Sequence, residues 1–184
     1  MGENKRRMLA GEWYVPDDPE LRDDSVRRAK LCDAYNAPGV LRDERRRILT
    51  ELLGEVGAHV NIRPPFHCDF GYRISVGQGT FVNFNAVFLD IAPITIGADV
   101  QIGPNVQLLT ATHELDAERR RAGWEKGVPI TLGDNVWLGG GVIVCPGVTI
   151  GANTVVGAGS VVTRDLPDGV LAVGNPARVV RKLE

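Results

Sequence analysis

Leu132-Gly-Asp-Asn-Val-Trp137, Leu138-Gly-Gly-Gly-Val-Ile143, Val144-Cys-Pro-Gly-Val-Thr149, Ile150-Gly-Ala-Asn-Thr-Val155 and Val156-Gly-Ala-Gly-Ser-Val161 are consecutive hexads of one chain. With Val162 opening the next hexad, every first position is aliphatic, and the fifth positions Val136, Val142, Val148, Thr154, Ser160 and Leu166 are small or aliphatic. A helix face recurs near 3.6 residues and a strand face at 2, so neither alone asks for a strict unit of six. The physical solution is a parallel β-helix of triangular section. Three hexads make a coil, each aliphatic side chain points inward, and it stacks on the residue about eighteen positions on, with coils ~4.8 Å apart. Gly and Asn at the corners, as in Gly133-Asp-Asn135 and Gly151-Ala-Asn153, supply turn conformations that other residues resist. The same frame returns upstream at Ile96, Ile102 and Leu108, and again at Val76, Val82 and Phe88.

Between Leu108 and Leu132 the count still divides by six, yet Glu114-Leu-Asp-Ala-Glu-Arg-Arg-Arg-Ala-Gly-Trp-Glu-Lys126 has nothing suited to lining a prism. Residues 114–127 are therefore expected to leave the coil as an exposed excursion, and a long loop on a rigid solenoid is often functional. A smaller slip at Asp90–Pro93 puts two extra residues ahead of Ile96. His113 is the last regular residue before the excursion, after the uncharged Thr110-Ala-Thr112. A histidine there either closes a turn or acts as a base. Imidazole suits removal of a proton from a hydroxyl when a partner fixes its tautomer. Glu125, on the returning limb, is the candidate partner. Trp124 and Trp137 either stack on a ligand or cover apolar surface.

The two ends of the chain differ in kind. Residues 1–60 hold 11 of the 21 Lys and Arg, whereas Val128 to Thr163 contains one charged residue, Asp134. Asp18-Pro19-Glu20 reads as a helix start, with the cap, proline at the first helical position and acid in the first turn; that helix runs to about Asn36. Ala37-Pro38-Gly39 ends it, and a second helix follows with Leu41, Ile48, Leu49, Leu52, Leu53 and Val56 at helical spacing. Residues 1–58 are expected to form a helical cap and 59–184 the β-helix. The Arg42–Arg47 run is interleaved with Asp43 and Glu44 and reads as a solvated helix face rather than a nucleic-acid patch. At the other end, Arg164, Arg178, Arg181 and Lys182 suit a phosphate-rich ligand, or discourage further pairing at a sheet edge.

A chain of 184 residues makes one substantial domain with a small appendage. A net charge of −2 leaves no overall cationic excess for nucleic acid or anionic lipid. No apolar run approaches the roughly 20 residues needed to span a bilayer. Met1 to Gly11 is charged and lacks the apolar core of a secretory signal, so a cytoplasmic location is expected. Cys32, Cys68 and Cys145 fit neither a disulfide framework nor a thiolate metal site. Histidines number three; His59 and His67 precede the regular coils and His113 stands alone among them, so no metal requirement is expected.

Seven ordered motifs carry a resemblance. Met8-Leu-Ala-Gly-Glu-Trp-Tyr14 with Asp18-Pro-Glu-Leu21, Cys68-Asp-Phe-Gly-Tyr72, Asn83-Phe-Asn85, Leu89-Asp90, Thr110-Ala-Thr-His113, Asn135-Val-Trp-Leu-Gly-Gly140 and Gly174-Asn-Pro-Ala-Arg178 resemble the maltose and galactoside O-acetyltransferases over almost the whole chain. The resemblance implies a left-handed parallel β-helix with an N-terminal helical cap, a homotrimer with sites between subunits, and acetyl transfer from acetyl-CoA to a sugar hydroxyl. It implies that His113 is the general base; Glu125, read from the excursion itself, is placed beside it at the acceptor. Asp69, Asn83, Asn85 and Asp90, with Asp17 or Asp18 from the cap, would pair with sugar hydroxyls. CoA would run along the coils past Trp137, Gly140 and Ala158, its phosphates meeting Thr163, Arg164, Arg178 and Arg181. Two departures stand out: Glu114 follows His113 where many relatives have proline, and Arg164 replaces a common lysine while able to bind phosphate bidentately. The acceptor stays open among maltose, glucose, a galactoside and another small hydroxyl compound. The rivals are serine or xenobiotic acetyl transfer and a non-catalytic trimeric scaffold.

Overall fold

The aliphatic positions form one column walled by three parallel sheets in the computed structural model, which describes residues 1–184. The first wall stacks Glu55–Val56, Ile74–Val76, Ile94–Ile96, Ile130–Leu132 and Thr149–Ile150. The second stacks Asn61–Ile62, Phe81–Val82, Gln101–Ile102, Trp137–Leu138, Val155–Val156 and Val170–Val173. The third stacks Phe66–Cys68, Ala86–Leu89, Gln107–Leu109, Ile143–Val144 and Val161–Val162. The chain visits the walls in that order once per coil. Leu132 pairs with Ile150, Leu138 with Val156 and Val144 with Val162, each eighteen residues apart. Their side chains are essentially inaccessible, as are Val82, Phe88, Ile94 and Leu108 below them. Burying each such side chain contributes about 1.5–3 kcal/mol, so this column is the main source of stability.

Corner chemistry follows the residue types. Asn135 and Asn153 have φ of 54° and 60°, the left-handed region that asparagine tolerates better than other non-glycine residues. They occupy the same corner in successive coils, where Asn135 Nδ2 donates to Asn153 Oδ1 at 2.9 Å.

The column begins earlier than the hexad frame suggests. His59 and His67, ahead of the regular hexads but inside the expected β-helix, lie in its first coil: His59 is a corner residue at φ 59°, and His67 is exposed on the third wall. In these lower coils the stacking interval is twenty rather than eighteen, as in Val56 to Val76 and Ile62 to Val82, while Val56, Ile62 and Cys68 keep the spacing of six within the coil.

The cap consists of α1 (Glu3–Leu9), α2 (Pro19–Asn36) and α3 (Arg42–Leu52). Asp18 caps α2 as its sequence predicts, its Oδ1 accepting from the Glu20 amide at 3.0 Å. Helix α3 buries Ile48, Leu49 and Leu52 on the foot of the column, together with Cys32 and Tyr35 of α2. It stops before Val56, which was expected to extend it. The Gly54 amide already bonds to the Ile74 carbonyl, so the chain has joined the first wall. Leu41, also assigned to the buried stripe, precedes the first turn and is exposed.

The excursion leaves where the third wall turns toward the first. Ala111–His113 and Glu125–Gly127 pair as an antiparallel ribbon, and α4 (Ala117–Arg121), capped by Asp116, forms its tip. At the other end Arg178–Lys182 folds back antiparallel on Val170–Val173 and is exposed throughout. No helix is long and apolar enough to cross a membrane.

Candidate active site

Three short strands meet beside the excursion. His113 is paired with Glu125 across the ribbon, and Glu125 is bridged on its other side by Tyr14 from the cap. The Tyr14 amide donates to the Glu125 carbonyl at 3.0 Å and the Glu125 amide to the Tyr14 carbonyl at 2.9 Å. In an antiparallel strand both backbone polar groups of a residue face the same neighbour, so those of Glu125 face Tyr14. The His113–Glu125 pair is therefore of the non-hydrogen-bonded kind, which brings Cα atoms to about 4.5 Å and sets the two side chains on one face. The ribbon thus sets the Glu125 carboxylate and the His113 imidazole on one face, with no direct hydrogen bond or ion pair between them.

That carboxylate is held. The Tyr14 hydroxyl donates to Glu125 Oε1, and Tyr14 is only 1% exposed. Burial and the adjacent Glu125 charge push the phenol well above its ordinary range, so it remains a donor. The order Tyr14, Glu125, His113 is a chain of positioned groups ending in an exposed imidazole. Nothing in its sequence context singles out Tyr14 for this contact. Glu114, the unusual residue after His113, makes a 2.9 Å ion pair with Arg119, whose guanidinium lies 5.1 Å from the centre of Trp124. Glu114 and Trp124 therefore brace the excursion together.

The carboxylates expected to meet an acceptor separate into two kinds. Asp69 is partly exposed beside this ribbon, and burial, reinforced by Asp90 and Glu125 and opposed by Arg28, pushes its carboxyl up to about 6. Asp90 is fully inaccessible. Its Oδ1 accepts from the amides of Asp69 and Phe70 at 3.0 and 2.9 Å, and its Oδ2 from Arg73 at 3.3 Å. The expectation that Asp90 pairs with sugar hydroxyls is corrected on this geometry. Its oxygens are committed to backbone donors, and its task is to shape the turn that presents Asp69. Asp18 is likewise occupied, accepting from Glu20 and Lys5, whereas its neighbour Asp17 is exposed and accepts from Asn4 Nδ2 at 2.7 Å.

Most of the remaining candidates lie on other edges of the prism. Asn83 and Asn85 flank exposed Phe84 at the corner between the second and third walls, the Asn83 Oδ1 accepting from the Phe84 amide. Asn85 begins the third-wall strand that Asp90 follows, roughly 16 Å away at strand rise. Gly140 and Ala158 occupy that same Asn85 corner in higher coils. A Cβ on Gly139 would meet the Ala158 amide at 2.6 Å, so the coils close tightly there and only small side chains leave the corner open. Trp137, 54% exposed, stands on the adjoining second wall. Arg178 and Arg181 lie on the exposed strand at the end of that wall. Thr163 and Arg164 are exposed past the end of the third wall, above the excursion. A small-residue groove with cations at its upper end suits a pantetheine arm and its phosphates. Within one chain, however, it runs along a different edge from His113.

A prism of hexads, a histidine at the break in the winding and a small-residue groove together define a hexapeptide-repeat acyltransferase. The model described as maltose acetyltransferase hexapeptide capping motif matches residues 7–57, and that of the bacterial transferase hexapeptide (six repeats) matches residues 129–164. Nodulation protein L of Rhizobium meliloti (strain 1021) is 51% identical over 95% of this chain and 96% of its own length. The crystal structure of a maltose O-acetyltransferase from Clostridium difficile 630 superposes with a TM-score of 0.96 at 46% identity, covering 98% of this chain and 97% of the other. A hexapeptide-repeat acetyltransferase from Vibrio cholerae O1 biovar eltor, complexed with acetyl coenzyme A, gives a TM-score of 0.93 at 42% identity and full coverage of both chains. The chain belongs to the maltose and galactoside O-acetyltransferase family.

Proposed function

We propose that this enzyme transfers acetyl from acetyl-CoA to a hydroxyl of a small saccharide by direct attack, with His113 as general base. The observation that carries the reading is the registered His113–Glu125 pair with Glu125 anchored by Tyr14. His113 takes the proton of the acceptor hydroxyl as that oxygen bonds to the thioester carbonyl carbon. The imidazolium, stabilised by Glu125, then returns the proton to the departing CoA sulfur as the carbon–sulfur bond breaks. The products are an acetyl ester and CoA, and the protein ends in its starting protonation state. Acetyl-CoA supplies the acetyl group; the residues supply position and proton transfer.

Asp69 and Asp17 edge the acceptor side beside the ribbon. Asn83 and Asn85, with Trp137, Gly140, Ala158, Arg178 and Arg181, serve the acceptor and the CoA from other edges, and Thr163 and Arg164 meet the CoA phosphates from above the excursion. Bringing these edges together calls for a second subunit, and a closed threefold ring places the excursion of one chain against the coil corner of the next. The enzyme is accordingly read as a homotrimer with sites between subunits, working in the cytoplasm on that compartment's acetyl-CoA. The test is acetyl-CoA consumption across maltose, glucose, a galactoside and a non-sugar alcohol, with His113→Ala as blank. Sugar-dependent release of CoA supports the reading; turnover with the non-sugar alcohol alone overturns the sugar assignment.

A further inference from the structure

At the foot of the column, between α3 and the first coil, lies a cavity of about 450 Å³, large enough for a small organic ligand. It is remote in the fold from the ribbon; Arg63 and Pro64 sit at the foot of the edge that carries the small-residue groove higher up, and none of the residues assigned to catalysis or CoA lines it. Four guanidiniums do: Arg42, Arg45 and Arg46 from α3, and Arg63 from the chain leaving the second wall. The carboxylates of this helix do not neutralise them. Glu44 and Glu51 pair with Arg47, on the outer face, and only Asp43 joins the lining.

Three of the four guanidiniums are positioned without being quenched. Arg46 Nη2 donates to the carbonyls of Val56 and Gly57 at 3.1 and 3.0 Å, while its Nη1 is buried without a hydrogen-bond partner. Arg45 donates to the Ala37 carbonyl at 3.1 Å and lies 5.8 Å from the centre of the Tyr35 ring. Arg63 stacks on Phe84 and Phe81 at 4.9 and 5.1 Å, a geometry that fixes the plane and leaves the edge donors free. A cluster of guanidiniums without carboxylate partners is a receptor for a multiply charged oxyanion. Tyr35, Leu49 and Ile62 supply apolar wall beside it. The lining therefore suits an anion carrying an organic body.

We propose that this cavity binds a small organic phosphate, held by the four arginines with its organic portion against the apolar wall. The experiment is isothermal titration of the full-length protein with phenyl phosphate, inorganic phosphate and phenol. Phenyl phosphate is expected to bind saturably, inorganic phosphate about tenfold more weakly, and phenol without measurable heat. Replacing the exposed Arg42 and Arg63 together, Arg42→Gln with Arg63→Gln, is expected to weaken phenyl phosphate by tenfold or more while the thermal transition is retained. The variant Arg178→Gln with Arg181→Gln, at the opposite end of the column, is expected to bind it like the wild type. Absence of saturable heat, equal binding by inorganic phosphate or phenol, an unchanged Kd in the Arg42 and Arg63 variant, or loss of binding in the Arg178 and Arg181 variant would each overturn the proposal.

Discussion

From Val128 to Thr163 the chain makes a full coil with every eighteen residues; from Thr110 to Gly127 it uses the same eighteen and makes none. The first stretch carries one charged residue and places an aliphatic side chain inside at each turn of the wall. The second carries eight charged residues. Placing charge inside the column would forfeit its burial energy and leave ions without water, so the chain forms an antiparallel ribbon outside. Regularity stabilises the molecule, and the one long interruption carries the proposed general base. Because the interruption equals a coil in length, the walls resume in register above it, Ile102 beneath Leu138 and Leu108 beneath Val144.

The sharpest way to separate the two regions is to remove one side chain from each. His113→Ala is expected to lower kcat by roughly two to four orders of magnitude at unchanged thermal stability, since the imidazole is exposed and outside the column. Stopped-time CoA release with a melting curve measures both. Near-normal turnover would remove His113 from its role. Leu138→Ala, in the column, is expected to cost about 2–5 kcal/mol by chemical denaturation, because a rigid stack cannot close the cavity. A loss under 1 kcal/mol would show that the coils adjust independently.

Titration distinguishes the regions further. Asp69 has a folded-state carboxyl raised to about 6, so between about pH 4 and 6 the native state binds more protons than the unfolded chain. Its contribution therefore falls as pH rises through that window. Asp69→Asn is expected to raise stability by about 1–3 kcal/mol at pH 7 and to leave it unchanged at pH 3, read from denaturant midpoints at the two pH values. Equal effects at both would refute the assignment. The smallest effect belongs to the corners. Asn153→Val is expected to cost about 1–2 kcal/mol, through a left-handed backbone unsuited to a branched side chain and the lost Asn135 contact. Asn153→Gly should recover most of it.

The same contrast explains what the sequence made legible. Leu132, Leu138, Val144 and Ile150 announce the column because stacking imposes its period directly on the chain. The excursion was visible as the failure of that rule at Glu114, and the α2 start as Asp18-Pro19-Glu20. The first coil is masked because Val56, its opening residue, also continues the helical spacing of Leu49, Leu52 and Leu53. Tyr14 was hidden for another reason: its partner Glu125 is 111 residues away, and no local pattern records a contact made by folding the cap onto the ribbon. Asp90 looked like a ligand because a carboxylate at a slip in the repeat has the right chemistry. Only its burial against three backbone amides reveals that its hydrogen-bonding capacity is already used.

His113 and the Gly140 corner lie on different edges of one prism, and the proposed site draws them from two chains. Co-expression of His113→Ala with Gly140→Trp, each inactive alone, tests this directly. In randomly mixed trimers about one site in four pairs an intact histidine with an intact corner. Acetyl transfer should return to about a quarter of the wild-type rate. If the mixture is no more active than its two parents, the histidine and the corner act within a single chain, and the shared site is wrong.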